Sequence, residues 1–283
     1  MTVEPEDATD NCTFELTNTE LTSLYLSTRG EFRKIVKRAE KISLGTGGQP
    51  SSGRRMFWGS VLFTRIVVTA KSLDRLAPDP RPREHWDFSS AAAVSRNLFE
   101  ACLVFQYLCG EGPSEELREA RFILFDLHDH GSRKRLLPDL PEPPEVQADL
   151  IRRFDANPHL AAFDDRRRKV ALRGEKTPFI QDDVLAEMDF DQEQFRLIYR
   201  LLSHHTHTGP LSFYRMVEHN RGAGVETAHE KRYMIMTLRI ASDFLVRTIQ
   251  THLHIFPDAE TRKPYLTRGQ ITANVEREQG RKR

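Results

Sequence analysis

The chain of 283 residues is long enough to bury a substantial core without disulfides or metals. Its 42 Lys and Arg residues nearly balance its 41 Asp and Glu residues, so any attraction for a polyanion or an anionic membrane must be local. The longest apolar runs, around 61–70 and 101–109, are interrupted by polar residues and fall short of the ~20 residues that span a bilayer, which argues against a transmembrane protein.

The cysteines and the N-terminus indicate the cellular compartment in which the chain is expected. Cys12, Cys102 and Cys109 are an odd number, and the last two lie about 10 Å apart along one predicted helix, too far to form a disulfide. The N-terminus lacks the charged, apolar and small-residue pattern of a secretory signal. A reducing cytoplasm fits these features best.

Helical periodicity extends over most of the chain, and no β pattern is longer than a few residues. Residues 1–18 are acidic, polar and without period, which predicts a flexible arm. Four helices are then predicted: 19–42 with Thr19 as cap, 56–76, one after the cap Asp87 that ends at Cys109, and one after the cap Ser114 that reaches about Leu137.

The second half of the chain begins with a Pro-rich, strongly charged segment, 138–188, which predicts an insertion with short helices near 146–154 and 164–172. Two longer helices come after it: one capped by Asp189 or Asp191 that ends near residue 206 before Gly209-Pro210, and one over 227–254. The tail, 257–283, is polar.

The predicted fold class is therefore all-α, a helical bundle with N-terminal helices and a charged, partly helical insertion. We expect a single domain over 19–256.

The helix that ends near residue 206 carries the most informative pattern. At about 100° per residue, Ser203, Arg200 and His207 share one face with Tyr199, and His205 points to the opposite, apolar side. One interpretation is a helix end whose imidazoles bond the last carbonyls. The other is phosphodiester chemistry, because neutral His207 can take a proton near pH 7 and the guanidinium of Arg200 can stabilise a phosphate.

A second polar pair interrupts the third helix. Arg96 and Glu100 lie four residues apart on one face, and their neighbours are almost all apolar, so the pair is expected to be buried and bridged. It is either a structural salt bridge or a pair that orients His207 or Ser203.

A metal site needs a matching set of ligands. The candidates that could converge are Glu100, Asp126, His130, His204 and His207. A di-iron bundle, however, requires two Glu-x-x-His motifs, and the chain has one, at Glu226 and His229. The ligand count therefore predicts neither a metal nor another cofactor.

Three motifs together resemble a known family: Arg96-x3-Glu100, Glu119-Ala-Arg-Phe122 and Tyr199-x3-Ser203-x3-His207. The resemblance is to a helical family of unknown function found in bacteria and their phages, which is itself similar to the HEPN superfamily. It spans roughly 87–137 and 189–254. It implies a HEPN-like bundle, often dimeric, of a kind that includes many metal-independent ribonucleases of toxin, antiphage and RNA-processing systems.

The HEPN mark is Arg, four to six residues, then His, which Arg200 meets with both His205 and His207. Helical geometry favours His207. Leu201 stands where this mark commonly has Asn, Asp or His.

The leading hypothesis is a HEPN-like homodimer that acts on RNA, with His207 as general base or acid and Arg200 as phosphate stabiliser. Ser203, Arg96 and Glu100 are expected to support them. Basic runs at 133–135, 152–153 and 166–169 either bind along a phosphate backbone or are charged helix faces. The alternatives are a non-catalytic helical module that binds a partner protein in a defence or toxin-antitoxin system, and a metal-dependent helical-bundle enzyme.

Overall fold

The computed structural model describes residues 16–81, 85–140, 142–175, 181–217 and 224–264. In these ranges the chain is all-α, as predicted, and none of the described helices is long and apolar enough to cross a membrane. The helices are α1 Asn18–Thr46, α2 Arg54–Leu76, α3 Phe88–Cys109, α4 Glu115–Leu136, α5 Pro144–Ala156, α6 Pro158–Ala161, α7 Asp165–Arg173, α8 Gln181–Glu187, α9 Gln192–Thr206, α10 Pro210–Val217 and α11 Ala228–Ile255.

The helix caps agree with the sequence at three of four predicted starts. The side chains of Asp87, Ser114 and Asp191 accept backbone N–H groups from the first turns of α3, α4 and α9. The prediction of Thr19 as the cap of α1 is wrong, because Thr17 forms a capping box with Glu20, three residues further on. The remainder of the predicted arm, 1–15, and the tail beyond residue 264 lie outside the described residues.

Among the described helices, prolines open two of the three short ones that were not predicted from the sequence, and the third, α8, begins at Gln181. Pro158 and Pro210 are the first residues of the short helices α6 and α10, a position where the missing N–H costs nothing. Pro210 thus both comes after the end of α9 and opens the next helix, whereas the sequence predicted only a stop at this proline.

The described residues fall into two compact units. Of the described residues, the first unit comprises those within Met1–Pro50, Ser60–Cys102 and Gln194–Arg283, and the second comprises those within Ser51–Gly59 and Leu103–Glu193. Neither unit is one continuous stretch of the chain.

In the first unit α1 packs along α11. The core includes three phenylalanine rings, Phe99 of α3, Phe195 of α9 and Phe244 of α11, with centroids 5.0 Å apart for Phe99 and Phe244 and 5.7 Å for Phe195 and Phe244. These contacts fix the part of α3 and the part of α9 that carry the predicted site residues.

The start of the predicted tail also packs in the first unit. Phe256 and Ala259 are buried. A Cβ on Gly45 of α1 would come within 1.9 Å of the Ala259 carbonyl oxygen, so only glycine fits at this position. Arg38 of α1 donates to Glu260 at 2.7 Å. Residues 256–260 therefore continue the packing of α11 against α1.

In the second unit the predicted insertion builds a core against α4. Ile123 and Leu127 of α4 pack with Leu150, Phe154 and Leu160. At Gly131 a Cβ would come within 2.6 Å of the Arg173 carbonyl, so this glycine lets the end of α7 approach α4 closely. The charged segment is thus part of a packed unit.

Cys102 and Cys109 are buried free thiols, in agreement with the prediction that they do not pair. Burial raises the pKa of each thiol to about 12. Cys12 lies outside the described residues.

A buried histidine ties α11 to α1. The ring of His252 stacks on Phe63, with centroids 3.9 Å apart, and its Nε2 lies 2.9 Å from the Thr46 hydroxyl. Because that hydroxyl donates to the Ile42 carbonyl, Nε2 of His252 is the donor to Thr46. Burial lowers the pKa of His252 to about 3.

The lowered pKa predicts acid sensitivity with a definite sign. Between about pH 6.5 and pH 3 the unfolded state binds the proton and the folded state does not, so stability falls as pH falls through this window. His252→Gln keeps a donor for Thr46 but removes the titration. We expect the stability advantage of the natural chain over this variant, measured by urea unfolding, to shrink by about 2 kcal/mol from pH 7 to pH 5. Parallel stability curves would contradict the assignment.

Candidate functional site

Arg96 of α3 lies at the centre of a polar cluster in the first unit. Its Nη2 donates to the Tyr199 hydroxyl at 2.7 Å and to the Glu100 carboxylate at 3.2 Å, and its Nη1 lies 3.3 Å from His207 Nε2. The predicted Arg96–Glu100 pair is thus confirmed, and the cluster joins one turn of α3 to two turns of α9 and the residue after them.

Tyr199 holds the guanidinium in place with both its ring and its hydroxyl. The guanidinium carbon of Arg96 lies 4.5 Å from the centre of the ring, and the hydroxyl donates a short hydrogen bond to Glu100. Burial on its own lowers the pKa of Arg96, but its interactions with Tyr199 and Glu100 outweigh burial, so the pKa is raised. Arg96 therefore carries its charge at neutral pH.

The cluster lies at the surface. The side chain of Arg96 is 18% exposed and that of Glu100 is 42% exposed, so the prediction that this pair is interior is wrong for Glu100. The apolar neighbours of Arg96 in the sequence lie on the other faces of α3. The face that carries Arg96 and Glu100 contacts the polar side of α9.

His207 is exposed and lies just beyond α9. Its N–H still bonds the Ser203 carbonyl at 3.0 Å, and Thr208, with φ of 51°, then turns the chain out of the helix. Arginine can only donate hydrogen bonds, so Nε2 of His207 accepts from Arg96 and the imidazole is neutral with its proton on Nδ1.

The remaining predicted residues of α9 lie apart from this cluster. The Ser203 hydroxyl donates to the Tyr199 carbonyl at 2.7 Å, along its own helix. Arg200 is exposed and makes no hydrogen bond or ion pair with any residue that the structure describes. His205 is buried, with its ring 4.7 Å from Phe88, which confirms its predicted position on the apolar side.

Tyr199 is the functional residue that the predicted site omitted. It was part of the Tyr199-x3-Ser203-x3-His207 motif, and its spacing from His207 already put both on one face. The sequence alone did not give the position of α3, which makes the tyrosine a partner of Arg96 and Glu100.

The proposed metal ligands do not converge in the described parts of the chain, where no group of three or more His, Cys, Asp or Glu side chains could hold a metal ion. In the second unit His130 bonds Glu142 at 2.6 Å, and Asp126 pairs with Arg54 and Arg153.

The motif Glu119-Ala-Arg-Phe122 belongs to the second unit. Glu119 pairs with Arg54 and Arg153, and the guanidinium of Arg54 lies 4.5 Å from the centre of the Phe122 ring. This network joins the start of α2 to α4 and α5. Each of its charges is paired, so its role is structural.

The architecture and the cluster define an all-α protein with an Arg–Tyr–Glu–His surface site. Residues 56–224 match a family of unknown function, DUF5677, and the chain belongs to that family. The match includes α3 and α9, which carry the cluster. Together with the helical structure, it confirms the prediction that the chain belongs to a helical family of unknown function. Comparisons with curated proteins and with solved structures give no match.

The coupling between Tyr199 and Glu100 can be measured by a double-mutant cycle with Tyr199→Phe and Glu100→Ala. Because each change breaks the same hydrogen bond, we expect a coupling free energy of about 1 kcal/mol in urea unfolding.

The matched control for this cycle pairs Glu100→Ala with Arg200→Ala, since Arg200 makes no hydrogen bond or ion pair with any described residue. These two effects should add. Additive effects for Tyr199 and Glu100 as well would show that the hydrogen bond does not stabilise the fold.

Proposed function

We propose that this protein binds RNA and cleaves it without a metal ion, as HEPN-like ribonucleases do. The observation that carries the proposal is the 3.3 Å contact between Arg96 Nη1 and Nε2 of a neutral, exposed His207. A base for a ribose hydroxyl and a donor for a phosphate are thereby next to each other, and both are needed at one phosphodiester.

The reaction uses these two groups. Nε2 of His207 takes the proton of the 2′-hydroxyl, and the 2′-oxygen attacks the adjacent phosphorus. The bond from phosphorus to the 5′-oxygen breaks, that oxygen leaves with a proton from water, and a 2′,3′-cyclic phosphate remains. Arg96 releases His207 when RNA binds and donates to the phosphate oxygens, whose charge grows in the transition state.

Tyr199 and Glu100 are positioning residues in this proposal. The ring lies under the guanidinium of Arg96, and Glu100 accepts from Nη2, whereas Nη1 is the nitrogen that contacts His207. Ser203 positions the backbone of the same helix through the Tyr199 carbonyl. A dimer, as is common among HEPN proteins, would bring two such sites together, and a role in defence or a toxin system is part of the same proposal.

A non-catalytic interaction module is the second candidate. It is favoured by the Arg96–Tyr199–Glu100 network, in which most of the guanidinium donors already have partners within the chain. Such a network can serve only to join α3 and α9. A protein that cleaves no RNA but copurifies with one partner protein in stoichiometric amounts would support this candidate.

The first test of catalysis is His207→Ala, with His204→Ala as its control. Both histidines are exposed near the end of α9, but of the two it is His207 that contacts Arg96 among the described residues. In EDTA, purified His207→Ala should cleave labelled single-stranded RNA at least 100-fold more slowly than the natural chain, because a general base contributes about 10²–10⁴-fold. His204→Ala should cleave normally, and both should keep the helical circular-dichroism spectrum. An equal loss of cleavage rate in both variants would show that His207 is not the general base.

The second test asks which arginine binds the scissile phosphate. Arg96→Lys keeps the charge but loses the planar fork, so we expect at least a tenfold fall in kcat if Arg96 is the ligand. Arg200→Lys should then change kcat little. An exposed charge that acts through its electrostatic potential does not need the planar geometry of a guanidinium, and lysine keeps the charge. The reverse result would restore the role that the sequence alone predicted for Arg200.

A further inference from the structure

We infer that Phe213 and Tyr214 form a stacking platform for an unpaired base, so that the RNA is single-stranded beside the cleaved phosphate. This inference rests on the proposed function and names the substrate class of the same site.

The stacking platform consists of these two exposed aromatic residues in the first unit. Phe213 is 43% exposed and Tyr214 is 61% exposed, and their rings make an edge-to-face pair with centroids 4.7 Å apart. Burying such rings is strongly favourable, so their exposure at the surface leaves π-faces that a flat apolar group can cover.

The stacking platform is near His207 along the chain. Three Cα–Cα steps lead from His207 to Pro210, and one turn of α10 leads on to Phe213. The distance between the Cα atoms of His207 and Phe213 is therefore at most about 16 Å. A short stretch of extended RNA covers this distance. The same strand could therefore place a phosphate at His207 and a base on the rings.

The size of the stacking platform favours a base over a protein partner. Two rings at this exposure offer about 200 Å² of surface. A stable protein interface buries about 800 Å² on each partner. One or two nucleobases match the smaller area, and base stacking on aromatic side chains tolerates any sequence.

The charge nearby also suits a single strand. Arg200 is exposed on α9 and has no hydrogen bond or ion pair among the described residues, so its guanidinium is available for a phosphate of the same strand. In a duplex the faces of the bases are covered by their neighbours, and the rings could not reach them. The stacking platform should therefore discriminate between single-stranded and double-stranded RNA.

The experiment measures binding in a His207→Ala background, in which RNA stays intact. A fluorescent single-stranded oligonucleotide and a hairpin-free duplex of the same sequence are titrated by anisotropy. Adding Phe213→Ala and Tyr214→Ala should weaken single-strand binding at least tenfold, since each stacked base contributes roughly that factor, and should leave duplex binding within twofold. Replacing both residues by Trp should restore single-strand binding.

The control is Val68→Ala, which removes an exposed apolar side chain of α2 in the same unit and should change neither affinity. Single-strand binding that is unaffected by the double alanine variant, while the natural chain still cleaves RNA, would overturn the stacking platform but not the proposed function. A double variant that changes only the oligomeric state in light scattering would show a protein-docking surface and overturn the stacking platform too. If the natural chain neither binds nor cleaves RNA, both proposals fail.

Discussion

The contact between the guanidinium of Arg96 and the ring of Tyr199 is the constraint on which the candidate site depends. The flat cation lies on the ring face, and its edge donors then point to the Tyr199 hydroxyl, to Glu100 and to His207. A cation on an aromatic face contributes about 0.5–2 kcal/mol, and hydrogen bonds to charged groups contribute about 1.5–3 kcal/mol each. Together they offset the cost of partly burying the charge.

The same contact determines which group lies beside His207. Without the ring, the long Arg96 side chain would have many rotamers and the imidazole would have no fixed neighbour. With it, a permanent cation stands at hydrogen-bond distance from Nε2 of His207. A neutral imidazole is the form that can accept a proton, so a packing contact in α9 has a direct chemical consequence.

The sequence predicted the faces of single helices better than the contacts between helices. Helical spacing correctly put Tyr199 and His207 on one side of α9 and His205 on the other, because that angle depends only on the residue count. It could not determine that Arg96 of α3 would be the arginine beside His207, since the rotation of two packed helices about their axes depends on the whole core. Ser203 illustrates a further limit, because its hydroxyl bonds the carbonyl four residues earlier, a local option that the face prediction does not exclude.

The charge of the site gives Arg200 a role that does not require a contact. Glu100 cancels most of the charge of Arg96, so the cluster alone is a weak attractor for a polyanion. The chain as a whole is also nearly neutral. A positive potential at the site therefore depends on cations that have no ion-pair partner. Arg200 is exposed on α9 and forms no ion pair with any described residue. In the proposed complex with RNA, Arg96 would contribute geometry and Arg200 would contribute positive potential, so both arginines would act on one strand although, of the two, Arg96 is the one that contacts His207 among the described residues.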